Sequence, residues 1–283
     1  MKDVHQLQVV LSGFMYQTLM PTIEAFTLES VFLNRGVRLD IYQFTKEAVP
    51  ADCDLILFND GQDLATMQFA EIVQRVDVET PLKPFICVGI HCGDDRMNEY
   101  GTVSAADYQG RGAKAPQYEQ FIIKELLPFV NEKLKTDGFN TYAFAGFSLG
   151  GLNAVDNAWN HPEIFSRAVA FSGSFWWRSK SKDAPDYSEK TDRLMHRQIR
   201  NSRPRPGMKF FFQCGTKDEK EDRNKNGVID SIDDTIDLMK ELLLKGYLEG
   251  RDFAYLQIQD GRHDVATWAR AIPAFLRWGY SAR

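Results

Sequence analysis

Residues 141–151 read Thr-Tyr-Ala-Phe-Ala-Gly-Phe-Ser-Leu-Gly-Gly and carry the strongest structural signal in the chain. A strand-like apolar run leads into Gly146, Ser148 and Gly150, which are spaced as G-x-S-x-G, and a helical pattern follows. This arrangement places Ser148 in a sharp, strained turn, with its hydroxyl projecting above the sheet. Glycines on either side let the strand and helix backbones approach without a side-chain clash. The pattern predicts a nucleophilic serine; the alternative is an ordinary Ser-Gly turn.

Short apolar runs alternate with longer helical patterns along the rest of the chain. Strands are predicted at 7–12, 37–43, 54–58, 85–90, 141–145, 167–172, 208–213 and 253–258, and helices at 64–75, 116–135, 149–159, 232–246 and 265–278. This alternation predicts an α/β fold with a mainly parallel eight-stranded sheet and helices on both faces. We expect one domain over residues 1–283, with functional loops at the carboxyl ends of the strands.

Composition excludes several classes of protein. Of the 283 residues, 43% are hydrophobic and 26% are charged, a balance that excludes a disordered chain. The net charge of −5 predicts no general attraction to nucleic acid or to an anionic membrane. No apolar run is long enough to span a membrane, and residues 7–20 lack the basic start and cleavage site of a signal peptide. The four cysteines form no CxxC pair, so we expect buried free thiols and a cytoplasmic location.

A serine nucleophile needs a base and an acid that orients the base. His263 is the only histidine that follows a late strand, whereas His161 opens a surface turn and His91 ends an earlier strand. The acid should follow the preceding strand, and Asp218 in Gly-Thr-Lys-Asp is the predicted residue. Two neighbouring carboxylates, Glu219 and Glu221, remain alternatives.

Two backbone N–H groups should bind the oxyanion that forms during ester chemistry. One candidate donor is Leu149, at the start of the helix that follows Ser148. The other is Gln62, because Gly61 lets the loop after strand 54–58 bend toward the nucleophile. A simple Asp-Gly turn explains the tetrapeptide around Gly61 equally well.

Together these motifs resemble the putative esterase family of α/β-hydrolases, which includes enterochelin, feruloyl and acetylxylan esterases, S-formylglutathione hydrolase and the mycolyltransferases. The matching segments are Asp60-Gly61-Gln62, Arg96 to Tyr100, Glu125 to Pro128, Gly146 to Gly151, Phe171 to Trp177, Gly215 to Asp218, and Gly261 to Asp264 with Trp268. The resemblance implies an α/β-hydrolase fold, with Ser148, Asp218 and His263 as the triad and Gln62 and Leu149 as oxyanion donors. It also implies that catalysis needs no cofactor.

Residues 222–233 read Asp-Arg-Asn-Lys-Asn-Gly-Val-Ile-Asp-Ser-Ile-Asp. Oxygen donors fall at the positions of an EF-hand loop, with Gly227 at the sharp turn. The predicted ligands of a structural Ca²⁺ are Asp222, Asn224, Asn226, the carbonyl of Val228, Asp230 and Asp233. The alternative is an Asn-Gly turn with solvated carboxylates.

Three residues are predicted to contact the substrate. Arg96 is a candidate partner for an anionic group, although a salt bridge with Glu99 is an equal alternative. Trp176 and Trp177 follow a strand at the functional end of the sheet and suit a sugar or aryl group, with core packing expected for at least one of them. The sequence thus predicts a serine ester hydrolase for small-molecule esters; an acyltransferase with the same triad and a non-catalytic binding relative are the alternatives.

Overall fold

An eight-stranded sheet organises the chain, and the computed structural model describes residues 21–44, 49 and 52–282. The strands are β1 (Thr22–Ser30), β2 (Arg35–Gln43), β3 (Asp54–Asn59), β4 (Phe85–Ile90), β5 (Tyr142–Phe147), β6 (Arg167–Phe171), β7 (Lys209–Lys217) and β8 (Phe253–Arg262). Their spatial order is β1-β2-β4-β3-β5-β6-β7-β8. Strands β3 to β8 run parallel, while β1 and β2 form an antiparallel hairpin at one edge. The predicted α/β fold is confirmed.

Helices connect the strands. They are α1 (Gln62–Thr66), α2 (Phe69–Glu79), α3 (Arg96–Glu99), α4 (Ala115–Gln120), α5 (Leu127–Leu134), α6 (Leu149–Asn160), α7 (Glu189–Asp192), α8 (Leu194–Asn201), α9 (Asp230–Leu244) and α10 (Val265–Tyr280). A π-helical stretch over Phe121–Leu126 joins α4 to α5, so the single helix predicted at 116–135 is divided. Pro128 lies in the first turn of α5, directly after the π-helical stretch, and it removes one backbone N–H donor from this continuous helical segment.

Both faces of the sheet are buried, as the apolar strands predict. Along β5, Phe144 packs into the cluster that contains Trp159 of α6. Phe147, three residues further along β5, points to the opposite face and packs into the cluster that contains Phe275 of α10. The alternation of side chains along one strand therefore fixes α6 and α10 on opposite sides of the sheet.

The first strand differs from the prediction. The run 7–12 lies outside the described residues, and the edge strand is Thr22–Ser30, which pairs with β2. Most residues of β1 are exposed, because only one side of an edge hairpin meets the core. The sequence therefore shows none of the continuous apolar character that marks the inner strands.

All four cysteines are free thiols, as predicted. Cys53, Cys87 and Cys214 are buried, and Cys92 is partly buried. Burial raises the pKa of each thiol, to about 11 for Cys92. No helix among the described residues is both long and apolar enough to cross a bilayer. The cytoplasmic location stays a prediction.

Candidate active site

Ser148 occupies the junction between β5 and α6 in a strained conformation. Its φ and ψ angles are 55° and −122°, outside the regions that non-glycine residues ordinarily adopt. The backbone N–H of Ser148 donates a hydrogen bond to the carbonyl of Phe171 on β6, at 2.8 Å. A Cβ atom on Gly146 would lie 2.3 Å from the carbonyl oxygen of Gly150. Strand and helix therefore cross so closely that only glycine fits at position 146, as predicted.

The loop after β3 packs directly against this turn. Gly61 donates its backbone N–H to the carbonyl of Ile90 at 2.8 Å, and a Cβ on Gly61 would lie 2.2 Å from the carbonyl carbon of Gly89. On the other side, a Cβ on Gly150 would lie 2.6 Å from Oδ2 of Asp60. The loop after β3 is thus held between β4 and the turn at Ser148, and there is no room for a methyl group at Gly61 or Gly150.

Each predicted oxyanion donor is the first residue of a helix, and the two helices start from these two contacting loops. Gln62 is the first residue of α1 and Leu149 is the first residue of α6. A backbone N–H in the first turn of a helix has no acceptor within its own helix. The Gln62 side chain is fixed by Cys92, whose backbone N–H donates to Oε1 at 3.2 Å and whose Sγ accepts from Nε2 at 3.3 Å. The side-chain amide of Gln62 is therefore hydrogen-bonded to Cys92 and not to the backbone N–H of Gln62 itself.

Arg96 links the β3 loop to the nucleophile turn. Its guanidinium forms two hydrogen bonds with the carboxylate of buried Asp60, at 2.6 and 2.7 Å, and a third with the carbonyl of Phe147 at 3.4 Å. Burial opposes the charged guanidinium, but the hydrogen bonds and charge of Asp60 outweigh it and raise the pKa of Arg96. The alternative salt bridge with Glu99 is wrong, because Glu99 is held by Arg35 at 2.6 and 2.8 Å. A substrate contact for Arg96 stays a prediction.

The predicted acid and base follow neighbouring strands at matched positions. Lys217 of β7 pairs with Arg262 of β8, so Asp218 and His263 leave the sheet side by side. The acid is anchored through Oδ2, which accepts the backbone N–H of Gly215 at 2.9 Å. Its other oxygen, Oδ1, is buried and has no hydrogen-bond partner among the described residues. A buried, unpartnered carboxylate oxygen beside an imidazole is suited to accept a ring N–H.

Burial favours the neutral form of His263. Desolvation lowers the pKa of the imidazole, Arg96 lowers it further, and Asp218 opposes both. Burial likewise raises the pKa of Asp218, against the effects of the Gly215 N–H and of His263. The ring also lies edge-on to Trp268, with centroids 5.4 Å apart. A neutral imidazole is the form that can accept a proton.

The hydrogen-bond path that catalysis would need between Ser148 and His263 is incomplete among the described residues. No hydrogen bond joins Ser148 to His263 in the part of the chain that the structure describes. Instead, Oγ of Ser148 lies 3.4 Å from Oγ of Ser174, a residue that the sequence analysis did not single out. Ser174 stands within Phe-Ser-Gly-Ser-Phe-Trp-Trp, three residues beyond Phe171, the last residue of β6. Its position after the strand next to β5 was the available signal, since neighbouring parallel strands end at the same edge.

The rival acids have other partners. Oε1 of Glu219 accepts the backbone N–H of Ser231 at 2.5 Å, and Glu221 pairs with Lys182 at 3.2 Å.

The rival bases are also engaged elsewhere. His91 contacts Asp40 at 2.6 Å, and His161 contacts Glu119 at 3.0 Å. These contacts leave His263 with Asp218 as the pair at this edge of the sheet.

The two tryptophans have different environments. Trp177 has no exposed surface and belongs to the core, so its predicted contact with substrate is wrong. Trp176 is partly buried and lines a cavity described below. Core packing for one of the two residues is thereby confirmed. A substrate contact for Trp176 stays a prediction.

The predicted calcium loop folds around its own backbone. Both oxygens of Asp222 accept backbone N–H groups, from Asn226 at 3.1 Å and from Gly227 at 2.9 Å. The Asp233 carboxylate accepts the side-chain amides of Asn224 and Asn226 at 2.8 and 2.9 Å.

Two observations count against parts of this ligand set. Oδ1 of Asp230 accepts the backbone N–H of Arg223 at 2.8 Å and forms an ion pair with the guanidinium of Arg223. This oxygen therefore already has a positively charged partner. The described residues contain no group of three or more His, Cys, Asp or Glu side chains arranged for a metal ion. Calcium binding, including the predicted carbonyl ligand of Val228, therefore stays a prediction.

The strained serine between strand and helix, with further polar loops at the same edge of a mainly parallel sheet, defines an α/β-hydrolase fold. The chain belongs to the esterase family described as "Putative esterase", whose model matches residues 30–278. The resemblance seen in the sequence motifs is confirmed.

Solved structures show the same fold at low sequence identity. The enterobactin esterase of Shigella flexneri aligns with a TM-score of 0.68 and 19% identity, covering 90% of this chain and 57% of that one. A ferulic acid esterase aligns with a TM-score of 0.65 and 17% identity, covering 92% and 97%. An IroE-like serine hydrolase from Shewanella oneidensis aligns with a TM-score of 0.63 and 20% identity, covering 90% and 80%. The chain thus spans little more than half the length of the enterobactin esterase. Comparison with curated protein sequences yields no match.

Proposed function

We propose that this esterase is a serine carboxylic-ester hydrolase that works through an acyl-enzyme intermediate on Ser148. The observation that carries the proposal is the backbone of Ser148, held at a φ of 55° at the end of β5. Such strain persists only where the surrounding structure imposes it. A strained turn between strand and helix is the geometry that exposes a nucleophilic hydroxyl in this fold, which supports the proposal. The same edge carries Asp218 and His263 on paired strands.

In the proposed mechanism, Nε2 of His263 takes the hydroxyl proton of Ser148 as Oγ bonds to the ester carbonyl carbon. The backbone N–H groups of Gln62 and Leu149 stabilise the resulting oxyanion. Protonated His263 then gives its proton to the leaving alcohol, and the carbon–oxygen bond of the ester breaks. Water then gives a proton to His263 and attacks the acyl carbon. The bond between that carbon and Oγ of Ser148 breaks, and His263 returns the proton to Oγ, which releases the acid and regenerates the serine. Asp218 orients the ring and stabilises its cation.

This mechanism uses only groups of the chain and requires no cofactor. It also requires His263 to come within hydrogen-bond reach of Ser148 when substrate binds. Catalytic hydrogen bonds are often long in unliganded enzymes and shorten in the substrate complex. The position of His263 in the short loop between β8 and α10 leaves room for that adjustment.

The proposed substrates are small esters with a sugar-linked, aryl or siderophore component. The names of the similar structures, an enterobactin esterase and a ferulic acid esterase, support this range. We further propose a single domain over residues 1–283, because every described strand belongs to one sheet.

Turnover of 4-nitrophenyl acetate by wild type, Ser148→Ala and Ser174→Ala tests the assignment. Loss of the nucleophile should lower kcat by roughly a thousandfold or more, as triad deletions do. The Ser174→Ala change removes a hydroxyl 3.4 Å away and should cost less than tenfold (about 1.4 kcal/mol). Equal activity of Ser148→Ala and wild type would refute the mechanism. Added alcohol acceptors, with analysis of the products, separate hydrolysis from acyl transfer.

A further inference from the structure

A cavity of ≈ 210 Å³ lies beside the candidate active site, and the proposed mechanism does not use it. The segment after β6 provides one wall, with Trp176 and Arg178. The loop between β7 and α9 provides another, with Glu219. Tyr108, whose backbone N–H donates to the carbonyl of Arg178 at 3.0 Å, closes the third side.

Two walls of this cavity continue directly from the active site. Trp176 follows Ser174 by two residues, and Oγ of Ser174 lies 3.4 Å from Oγ of Ser148. Glu219 is the next residue after Asp218. The cavity therefore shares the segment after β6 and the loop after β7 with the candidate active site.

Arg178 is the most unusual group in the lining. Only 7% of the residue is exposed, and Nη1 is buried without a hydrogen-bond partner among the described residues. Its Nε donates at 2.7 Å to the carbonyl of Trp176, which is a neutral acceptor, and its guanidinium lies over the ring of Tyr187. The charge of buried Asp234 acts on Arg178 without a hydrogen bond between them. A buried cation that no anion hydrogen-bonds costs free energy, part of which an incoming anion would recover.

The cavity also contains carboxylates, but two of them are paired with other cations. Glu221 contacts Lys182 at 3.2 Å. Asp230 contacts the guanidinium of Arg223 at 3.3 Å and accepts its backbone N–H.

The other two carboxylates differ in burial. Glu219 accepts the backbone N–H of Ser231 through Oε1, and burial raises the pKa of its carboxyl. Asp183 is exposed in a surface loop and lines the cavity as well. It is the carboxylate that most directly opposes an anion here.

We propose that this cavity binds a carboxylate carried by the ester substrate, with Arg178 as its partner. The rings of Trp176 and Tyr108 flank the apolar chain between the carboxylate and the ester. The substrate class is therefore an ester with a second, anionic group a few carbon atoms from the scissile carbonyl. This inference rests on the proposed function, since it needs an ester held at Ser148.

The test compares two esters that differ only in charge: 4-nitrophenyl hydrogen adipate and 4-nitrophenyl methyl adipate. Wild type should show a higher kcat/KM for the charged ester. In Arg178→Gln, the charged-to-neutral ratio of kcat/KM should fall by about tenfold or more, the usual range for a hydrogen bond to a charged group. Lys180→Gln is the matched control, because it removes one positive charge from a residue outside the cavity lining and should leave the ratio unchanged.

A second variant keeps the test independent of the folding of Arg178→Gln. Asp183→Asn removes the exposed carboxylate and should raise the ratio by roughly twofold to threefold, as expected for a solvent-screened charge. An unchanged ratio in Arg178→Gln, or an unchanged or lowered ratio in Asp183→Asn, would overturn the inference. Failure of the proposed function looks different, because Ser148→Ala would then hydrolyse both esters as fast as wild type.

Discussion

The two sides of the candidate site are built on different principles. On the nucleophile side, backbones meet so closely that added Cβ atoms at Gly61 and Gly146 would lie 2.2 and 2.3 Å from other main-chain atoms. On the acid–base side, Asp218 is anchored by one backbone N–H and His263 is exposed. The proposed nucleophile and oxyanion donors are thus fixed by main-chain packing, whereas the proposed base lies on a surface loop.

This contrast accounts for two observations. The backbone of Ser148 is strained, and no hydrogen bond joins Ser148 to His263 among the described residues. A site that must bind and release substrate can keep its oxyanion donors rigid and leave the proton carrier adjustable. The comparison predicts that substitutions on the two sides will have different consequences. The nucleophile side should lose stability, and the acid–base side should change its pH dependence.

The largest expected difference is between Gly61→Ala and Gly227→Ala. The new methyl group at position 61 would clash with the backbone of Gly89, and the free energy of unfolding should fall by about 3 kcal/mol or more. Gly227 has a φ of 85° but nothing within 4 Å of an added Cβ, so alanine should cost about 1–2 kcal/mol there. Urea denaturation measures both. Equal losses would mean that close packing does not define the nucleophile side.

A smaller effect is expected from Arg96→Gln, which removes a positive charge near His263. That charge lowers the pKa of His263, so its loss should raise that pKa. Because the neutral imidazole is the active base, the acidic limb of the kcat/KM profile should move to higher pH. In wild type the same limb should lie below the ordinary range of histidine, since desolvation and Arg96 both lower the pKa.

Arg262→Gln is the control for this shift. It removes an equal charge from the exposed residue next to His263, and it should leave the acidic limb in place. A profile displaced equally by both variants would show that the effect is general rather than specific to Arg96. A shift to lower pH in Arg96→Gln would contradict the proposed electrostatics.

The smallest effect concerns the loop 222–233, which follows Asp218 on the acid–base side. If Ca²⁺ orders this loop, saturating Ca²⁺ should raise the melting temperature by about 2–4 °C per kcal/mol of binding free energy. Chelation should reverse the change, and Asp222→Ala should abolish it. Asp186→Ala, at an exposed carboxylate outside the loop, should respond like wild type. An unchanged melting temperature, with no heat of binding in calorimetry, would show that the loop 222–233 does not bind Ca²⁺.

The sequence alone was sufficient to locate the strand ends, and with them Ser148, Asp218 and His263. Ser148 and Asp218 follow the inner strands β5 and β7, and His263 follows the edge strand β8. Parallel strands bring their carboxyl ends to one edge of the sheet. The pairing of Arg96 with Asp60 was not predictable, because 36 residues separate them and nothing local marks the contact. The edge strand β1 was also missed, since its mostly exposed residues include charged Glu24 and Glu29. Local pattern thus identifies what the sheet buries, and long-range polar contacts require coordinates.

The protonated, shielded thiols have a practical consequence for labelling this enzyme. Nucleophilic attack by cysteine requires the thiolate, which a raised pKa makes scarce at neutral pH. Reagents that modify cysteine should therefore react slowly with the folded chain. A fluorophosphonate probe would then have little competition from sulfur, so the adduct mass and its position in a peptide digest would identify the reacting hydroxyl.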